Sequence, residues 1–244
     1  MLSVHAKQLI LGIISFVCLG IYQNLWALEP SLLSKEQCFL QFQTCSCRNE
    51  GCVPEFQSKI EKLTPERIDA LKKGTWEEGC PIALVDIRSL SLLYIREDGT
   101  VHEGELIVAK QEAENIVAVF RRLYLQGFVI HSMKSVENYG GNDDLSMADN
   151  NTSALNCRKV KGTTKWSEHS YGLAIDINPL WNPYVRKQHV EPPEGVQFLD
   201  RSLDQEGLIK KEDPIIDFFA DIGWKWGGYW TNSKDYQHFS LHGK

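Results

Sequence analysis

Alternating apolar and polar positions predict one strand that carries a potential metal ligand. Over residues 173–178 the order is Leu-Ala-Ile-Asp-Ile-Asn, so every second side chain is a large aliphatic one. Because successive side chains of a strand point to opposite faces, one face is apolar and the other carries the Asp176 carboxylate. His169 lies upstream in the same segment. Taken alone, this segment fits a metal site and a solvated edge strand beside a loop histidine equally well.

The remaining periodicity predicts an α+β fold in which an antiparallel-leaning sheet has helices to one side. Strands are predicted over residues 83–95, 104–108, 128–130 and 236–241, with a turn at 97–99. Helices are predicted over residues 65–73 after Thr64 as N-cap, over 111–126 before Gly127, and over 214–222 after Asp213 as N-cap.

Two stretches show no strong periodicity. Residues 139–165 are rich in Gly, Asn, Asp and Ser, and a loop of this length in a compact domain is usually functional. Because it directly precedes His169, we expect it to form one wall of a cleft. Residues 182–212 are also predicted to be irregular, apart from a short element around Leu208.

The N-terminus has the features of an export segment. Lys7 precedes an apolar run from Leu9 to Ile21, which is short for a membrane span and fits the hydrophobic region of a signal peptide. Ala27 offers a cleavage point, so residues 1–27 are predicted to be a signal peptide, with an uncleaved anchor helix as the alternative. We therefore expect a periplasmic or extracellular protein that contacts the membrane only through this segment if it is retained.

The cysteine content agrees with export. Apart from Cys18, six cysteines remain, and an even number suits three disulfides in an oxidising compartment. Cys80 opens the main domain and Cys157 adjoins Arg158, so we expect these two to pair. The other four, Cys38, Cys45, Cys47 and Cys52, are then expected to pair among themselves. A second zinc site built from these four is the alternative.

The chain thus divides into the export segment, a Cys-rich segment with a short helix over residues 28–75, and a main domain over 76–244. The Cys-rich segment is interpreted as a structural cap, with a wall-docking piece as the alternative. The formal net charge is −6 and no basic stripe is present, which argues against nucleic acid as a partner.

The C-terminal segment completes a potential metal site. Asp235 and His238 follow a Trp- and Gly-rich stretch over residues 224–230. With the upstream pair, this supplies two imidazoles and a carboxylate, and such a set holds zinc with a fourth position open for water. His169, Asp176 and His238 are therefore the predicted Zn²⁺ ligands. Asp235 is left for proton transfer, and it is expected to lie in the loop just before the last strand.

The pattern Ser-x-His-x-x-Gly-x-Ala-x-Asp over residues 167–176, followed by Asp-x-x-His-Phe over 235–239, resembles the M15 family of zinc peptidases. This family includes D-Ala-D-Ala carboxypeptidases and endolysin L-Ala-D-Glu endopeptidases. The resemblance runs from about Gly79 to Leu241. It also includes the segments Tyr139-Gly140-Gly141, Ser146-Met147-Ala148, Asn150-Asn151-Thr152-Ser153 and Asn156-Cys157-Arg158.

The resemblance implies a hedgehog-like fold and a role for each site residue. Asp235 takes the place of the acidic residue that serves as proton acceptor, and Asp there fits the carboxypeptidase and endolysin branch. Arg158 matches the substrate-side arginine, which holds a carboxylate or stabilises an oxyanion; a surface arginine is the alternative. Ser153 is expected to line the same pocket, and Ser167 to orient a ligand by a hydrogen bond.

The expected activity is zinc-dependent hydrolysis of peptide bonds in the stem peptide of bacterial peptidoglycan, by a monomer. Removal of a terminal D-Ala and cleavage between L-Ala and D-Glu use the same site residues, so both remain open. The alternative is a non-catalytic cell-wall-binding module with the same fold. The tryptophans Trp224, Trp226 and Trp230 are expected to pack in the core or cleft wall, with sugar stacking as the alternative.

Overall fold

The computed structural model describes residues 36, 38, 45–48 and 51–243, so the predicted signal peptide lies outside the described residues. Helices and strands are interspersed along the chain, which confirms the predicted α+β class. None of the helices in these ranges is long and apolar enough to cross a bilayer.

The regular elements are numbered here in chain order. The strands are β1 Cys45–Arg48, β2 Gly51–Pro54, β3 Ser58–Lys62, β4 Ile87–Ile95, β5 Val101–Ala109, β6 Ser132–Met133, β7 Asn151–Thr152, β8 Ala174–Asp176, β9 Tyr184–Arg186, β10 His189–Glu191, β11 Lys225–Trp226, β12 Lys234–Asp235 and β13 His238–Ser240. The α-helices are α1 Pro65–Leu71, α2 Ala113–Gln126, α3 Asp143–Ala148 and α4 Pro214–Ala220. Short 3-10 helices connect several of them.

An antiparallel sheet of order β3-β4-β5 forms the first half of the domain. The predicted strand beginning at residue 83 is wrong at its start, because residues 84–86 form a 3-10 helix and the ladder begins at Ile87. Strand β3 lies before residue 76, so the segment expected to be only a Cys-rich cap contributes an edge strand to this sheet.

Two helices follow the predicted signals closely. In α1 the Thr64 hydroxyl accepts a hydrogen bond from the Arg67 backbone N–H at 3.2 Å, which satisfies a free donor of the first turn. The helix ends at Leu71, two residues earlier than predicted. Helix α2 ends as predicted at Gly127, whose φ of 72° is the left-handed conformation that glycine adopts readily.

The main core lies between α2, the sheet and α4. Ile116, Val119, Phe120 and Leu123 of α2 are buried at helical spacing against strand β4 and helix α4. Asp213 occupies the N-cap position of α4, but its side chain does not cap that helix as predicted. Its Oδ2 instead accepts from the upstream Lys210 backbone N–H at 2.6 Å, and α4 ends at Ala220.

The second half carries three predictions that were wrong in detail. The strand expected at 128–130 is reduced to one bridge between Val129 and Ile95, and the local strand is β6, which pairs in parallel with β7. The loop expected over 139–165 contains α3 and β7. The stretch 182–212 contains the hairpin of β9 and β10, whereas Leu208 is a buried residue outside any helix or strand.

Two candidate ligands, Asp176 and His238, lie in a sheet of order β11-β13-β8, and β12 belongs to a neighbouring sheet with β9 and β10. The strand predicted over residues 236–241 is therefore too long, since only His238–Ser240 form a strand there. The chain passes from one sheet to the other between Asp235 and His238, which changes how these two side chains are presented.

Disulfides tie the N-terminal segment and the site region together. Cys80 pairs with Cys157 as predicted, Cys38 pairs with Cys45 within the group of four N-terminal cysteines, and Cys52 is also disulfide-bonded. A zinc site built from the first four cysteines is thus wrong, because disulfide sulfurs are not available as thiolate ligands. The Cys80–Cys157 bridge fixes the residue that precedes Arg158.

Candidate active site and metal centre

Strand pairing places Asp176 and His238 directly opposite each other. In the antiparallel register of β8 and β13, His238 faces Asp176, and residues so paired project side chains on the same face. The His238 Nδ1 lies 2.9 Å from the Asp176 Oδ1. Both side chains are buried, at 5% and 7% exposure. The alternation that predicts the strand therefore delivers the carboxylate to a second ligand 62 residues away.

A 3-10 helix over Glu168–Tyr171 presents the third side chain. The Ser167 hydroxyl caps this helix by accepting from the His169 backbone N–H at 3.3 Å. The His169 Nδ1 lies 2.6 Å from the Ala154 carbonyl oxygen, which can only accept, so Nδ1 carries the proton. The unprotonated Nε2 of the neutral ring then faces Asp176 and His238.

The donor set fits a metal ion. The His169 Nε2 lies 3.1 Å from the Asp176 Oδ2 and 3.3 Å from the His238 Nδ1. With its proton on Nδ1, a neutral His169 brings a lone pair against a carboxylate, which is repulsive unless a cation lies between them. The ligand atoms of all three residues lie within 4.8 Å of one another. Two imidazoles and one carboxylate are the ligands of open zinc sites.

The electrostatics of Asp176 agree with this arrangement. Burial by itself would raise its pKa, but without a metal ion the positive charge and hydrogen bonds of protonated His169 and His238 more than offset burial and hold the pKa well below its usual range, the part that a bound cation would take. The carboxylate is therefore ionised at neutral pH, which is the state a metal ligand requires.

Asp235 lies beside this group in a different electrostatic situation. It belongs to β12, whose residue Asp235 pairs with Tyr184, so the prediction that it lies in a loop is wrong. Its Oδ1 is shielded from solvent and has no hydrogen-bond partner. Burial raises the pKa of Asp235 to about 7; the charge of Asp176 adds to the rise and His238 opposes it. Such a carboxyl group can both accept and donate a proton near neutral pH.

Gly227 controls how closely Asp235 approaches His238. A Cβ atom at this position would lie 2.7 Å from the Asp235 carbonyl oxygen, 2.8 Å from the Asp235 Cβ and 3.3 Å from the His238 Cβ. Sequence reasoning missed this role. The only indication is the glycine pair at 227 and 228 within an aromatic stretch, which marks a close approach of backbone without saying to what.

The predicted substrate-side arginine is held by a neighbouring acid. The Arg158 guanidinium pairs with the Asp143 carboxylate at 2.7 Å, and the Asn156 side-chain amide donates to the same carboxylate at 3.0 Å. The Arg158 backbone N–H donates to the hydroxyl of Ser170, the residue after His169. Arg158 is thus connected to the metal-ligand helix through its backbone, and its contact with substrate stays a prediction.

Ser153 supports the site through its main chain. It exchanges two backbone hydrogen bonds with Asp176, at 2.9 and 3.0 Å. These bonds add a third chain segment beside β8 and β13 and fix the position of the Asp176 backbone. Whether the Ser153 side chain lines a substrate pocket stays a prediction.

The tryptophan-rich stretch divides into core and site-side residues. Trp224 and Trp226 are buried, in agreement with the predicted packing role. Trp230 is only half-buried, and its ring lies 5.5 Å from the His238 ring, centroid to centroid. One aromatic side chain of the stretch therefore contacts a candidate ligand directly.

Residues 161–241 match a family model described as D-alanyl-D-alanine carboxypeptidase, of the M15 peptidases. The match confirms the M15 resemblance over this segment and supports a peptidase that acts on peptidoglycan in general. The segment contains Ser167 and all four of His169, Asp176, Asp235 and His238, whereas Arg158 and Ser153 precede it. No curated protein and no solved structure matches the chain.

Proposed function

We propose that this M15-type chain is an exported, zinc-dependent peptidase that hydrolyses peptide bonds in the stem peptide of bacterial peptidoglycan. The observation that carries the proposal is the buried group of His169, Asp176 and His238, whose ligand atoms lie within 4.8 Å of one another, with Asp235 beside it. The segment that matches the family model contains this whole group.

Each of the chain's own residues has a definite part in this reaction. A zinc ion bound by the three ligands would act as a Lewis acid and lower the pKa of a water molecule to about 7. Asp235 accepts a proton from the attacking water as its oxygen bonds to the scissile carbonyl carbon. When the carbon–nitrogen bond breaks, Asp235 passes that proton to the leaving amine.

Positioning falls to the surrounding residues. The Ala154 carbonyl holds the His169 ring in one tautomer and orientation, which is the usual role of a second partner to a ligand histidine. Arg158 is proposed to bind a carboxylate of the stem peptide or the developing oxyanion, and Ser153 to line the same pocket. Removal of a terminal D-Ala and cleavage between L-Ala and D-Glu are both compatible with these roles.

The proposal also assigns the architecture and the compartment. Ligands on two adjacent antiparallel strands and a preceding short helix support the hedgehog-like arrangement that the M15 resemblance implies. The disulfides Cys38–Cys45 and Cys80–Cys157 support export, because such bridges persist in oxidising compartments.

The test separates metal binding from proton transfer. Purified protein is incubated with peptidoglycan and with synthetic stem peptides, and the fragments are identified by mass. We expect Asp235→Asn to keep its zinc while the rate falls about 10²- to 10⁴-fold, because the amide cannot accept a proton. Asp221→Asn is the matched control, since Asp221 is an exposed residue paired with Arg122.

Two results would contradict the proposal. Loss of zinc in Asp235→Asn would make Asp235 a ligand and not the proton acceptor. If the wild-type protein, loaded with zinc, binds peptidoglycan and releases no fragment, the alternative of a non-catalytic wall-binding module is correct.

A further inference from the structure

A shallow cavity adjoins the candidate metal centre and has a distinctive chemical lining. It encloses about 420 Å³ and is formed by one continuous segment, residues 229–233, with the sequence Tyr-Trp-Thr-Asn-Ser. All five side chains are uncharged, two are aromatic, and the other three offer hydroxyl or amide groups. We call this feature the aromatic cleft.

Trp230 connects the aromatic cleft to the metal centre. Its ring lies 5.5 Å from the ring of His238, and its indole N–H donates to the Gly243 carbonyl at 3.1 Å. The Lys234 ammonium donates to the Trp230 carbonyl at 2.7 Å. These contacts fix the position of Trp230, so a molecule bound in the aromatic cleft lies near His238, one of the candidate metal ligands.

Tyr229 gives the cleft its exposed aromatic surface. Its side chain is 52% exposed, yet its ring is held edge-on against Trp226 with centroids 5.1 Å apart. A supported aromatic ring that remains exposed offers contact area at a low cost in side-chain entropy. The buried side chains of Trp224 and Trp226 already fill the neighbouring core, so core packing does not require an aromatic residue at position 229.

The lining favours a sugar over a charged peptide. A saccharide ring has apolar C–H faces that pack on aromatic rings, and a rim of hydroxyl groups that hydrogen-bond with Thr, Asn and Ser side chains. The acidic stem peptide calls for cationic partners, and the five lining residues supply none. A volume of about 420 Å³ is within the range of roughly 300–1,000 Å³ for small-molecule sites.

We propose that the aromatic cleft binds an amino sugar of the peptidoglycan glycan strand while the attached stem peptide reaches the metal centre. The inference rests on the proposed function and narrows its substrate class. The chain is then a peptidase for stem peptides still linked to sugar, and Tyr229 is a specificity-determining residue.

The first experiment compares two substrates of identical peptide sequence, one linked to the disaccharide and one free. We expect the wild-type protein to prefer the sugar-linked substrate in kcat/KM. Tyr229→Ala should lower the ratio of the two kcat/KM values about tenfold, the size expected for loss of one aromatic contact. Tyr229→Phe keeps the ring and should keep the ratio. Val196→Ala, which removes an exposed apolar side chain elsewhere, is the control.

The second experiment does not depend on peptidase activity. Chelator-treated full-length protein is titrated with N-acetylglucosamine oligosaccharides and binding is followed by calorimetry. We expect saturable binding that Tyr229→Ala weakens about tenfold and Val196→Ala leaves unchanged. Absence of saturable binding by the wild-type protein, or an equal loss of activity on both substrates in Tyr229→Ala, would overturn the inference. If neither substrate is cleaved but oligosaccharide binds through Tyr229, the proposed function fails and the sugar site stands.

Discussion

His238 lies directly across the β8–β13 ladder from Asp176, with 2.9 Å between the imidazole Nδ1 and the carboxylate Oδ1. The pairing register brings these two side chains together, because opposite residues of an antiparallel pair share one face of the sheet. The third ligand, His169, reaches the same point from a short helix. Two of the three ligand positions are therefore as rigid as the sheet that carries them.

The first prediction concerns metal content. His238→Ala leaves one imidazole and one carboxylate, so we expect zinc affinity to fall by more than about 100-fold. Mutation of a residue that only hydrogen-bonds a ligand already lowers metal affinity by about 10- to 100-fold. Elemental analysis after dialysis measures the zinc bound per chain. The matched control is His189→Ala, an exposed histidine paired with Glu191, which should keep full zinc.

Full zinc occupancy in His238→Ala, with the protein folded by circular dichroism, would remove His238 from the ligand set. Loss of zinc in both variants would point to a general effect of histidine removal on folding.

A second prediction concerns the pH dependence of stability in the metal-free protein. Burial raises the pKa of Asp235 to about 7 in the folded state, against about 4 in the unfolded chain. The folded state thus holds this proton more tightly, and the free energy of unfolding should fall as pH rises from about 4 to 7. The Asn side chain of Asp235→Asn cannot ionise, so the free energy of unfolding of this variant should fall less over the same pH window.

The measurement is chemical unfolding with a chelator present at pH 5, 6, 7 and 8. At pH 8 the Asp235→Asn protein should be more stable than the wild type, and the difference should shrink toward pH 5. Parallel pH curves for the two proteins would show that the folded state does not favour the protonated carboxyl.

The candidate ligands could be predicted from sequence because each of them lies in a short, recognisable local pattern. The period-two pattern over residues 173–178 places Asp176 on one strand face, and the Asp-x-x-His spacing places His238 near an acid. The cap residues Thr64 and Gly127 were predictable for the same reason, since each satisfies backbone groups within one turn.

The parts that sequence did not predict depend on long-range pairing. Asp235 pairs with Tyr184, 51 residues earlier, in a separate sheet, and no local pattern in either segment identifies the other as its partner. The strands β9, β10 and β12 are two or three residues long, too short for a period-two pattern to emerge. The Ala154 carbonyl that orients His169 is a backbone group, so no residue type marks it.

A third prediction tests the close approach at Gly227. In Gly227→Ala the new Cβ would lie 2.8 Å from the Asp235 Cβ and 3.3 Å from that of His238, so these residues must move apart. We expect kcat/KM to fall about 10- to 100-fold, since displacement of a catalytic group by about 1 Å can cost 10²-fold. Zinc content should fall by a smaller factor than kcat/KM, because the ligands His169 and Asp176 are not displaced.

Gly104→Ala is the control for steric crowding away from the site. Gly104 lies on strand β5, and a Cβ atom there would lie 2.7 Å from the Met133 Cβ. This variant should lose stability without a selective loss of activity. Unchanged kcat/KM in Gly227→Ala would show that Asp235 tolerates the shift and would weaken its assignment as the proton acceptor.

The last prediction concerns the ion-pair network that joins α1 to the rest of the domain. Arg67 pairs with Glu105 of β5 at 2.5 Å and also with Glu137, and these side chains are 20%, 29% and 9% exposed. Removing the arginine leaves two carboxylates near each other with little solvent, and breaking such a buried pair typically costs about 3–5 kcal/mol. Since Arg67 and Glu105 are only partly buried, we expect Arg67→Ala to lower the free energy of unfolding by about 2–3 kcal/mol. Lys161→Ala breaks a pair whose lysine is 80% exposed and should leave the free energy of unfolding nearly unchanged. Urea unfolding of both variants measures the difference, and an equal effect would mean that the Arg67 network is screened like a surface pair.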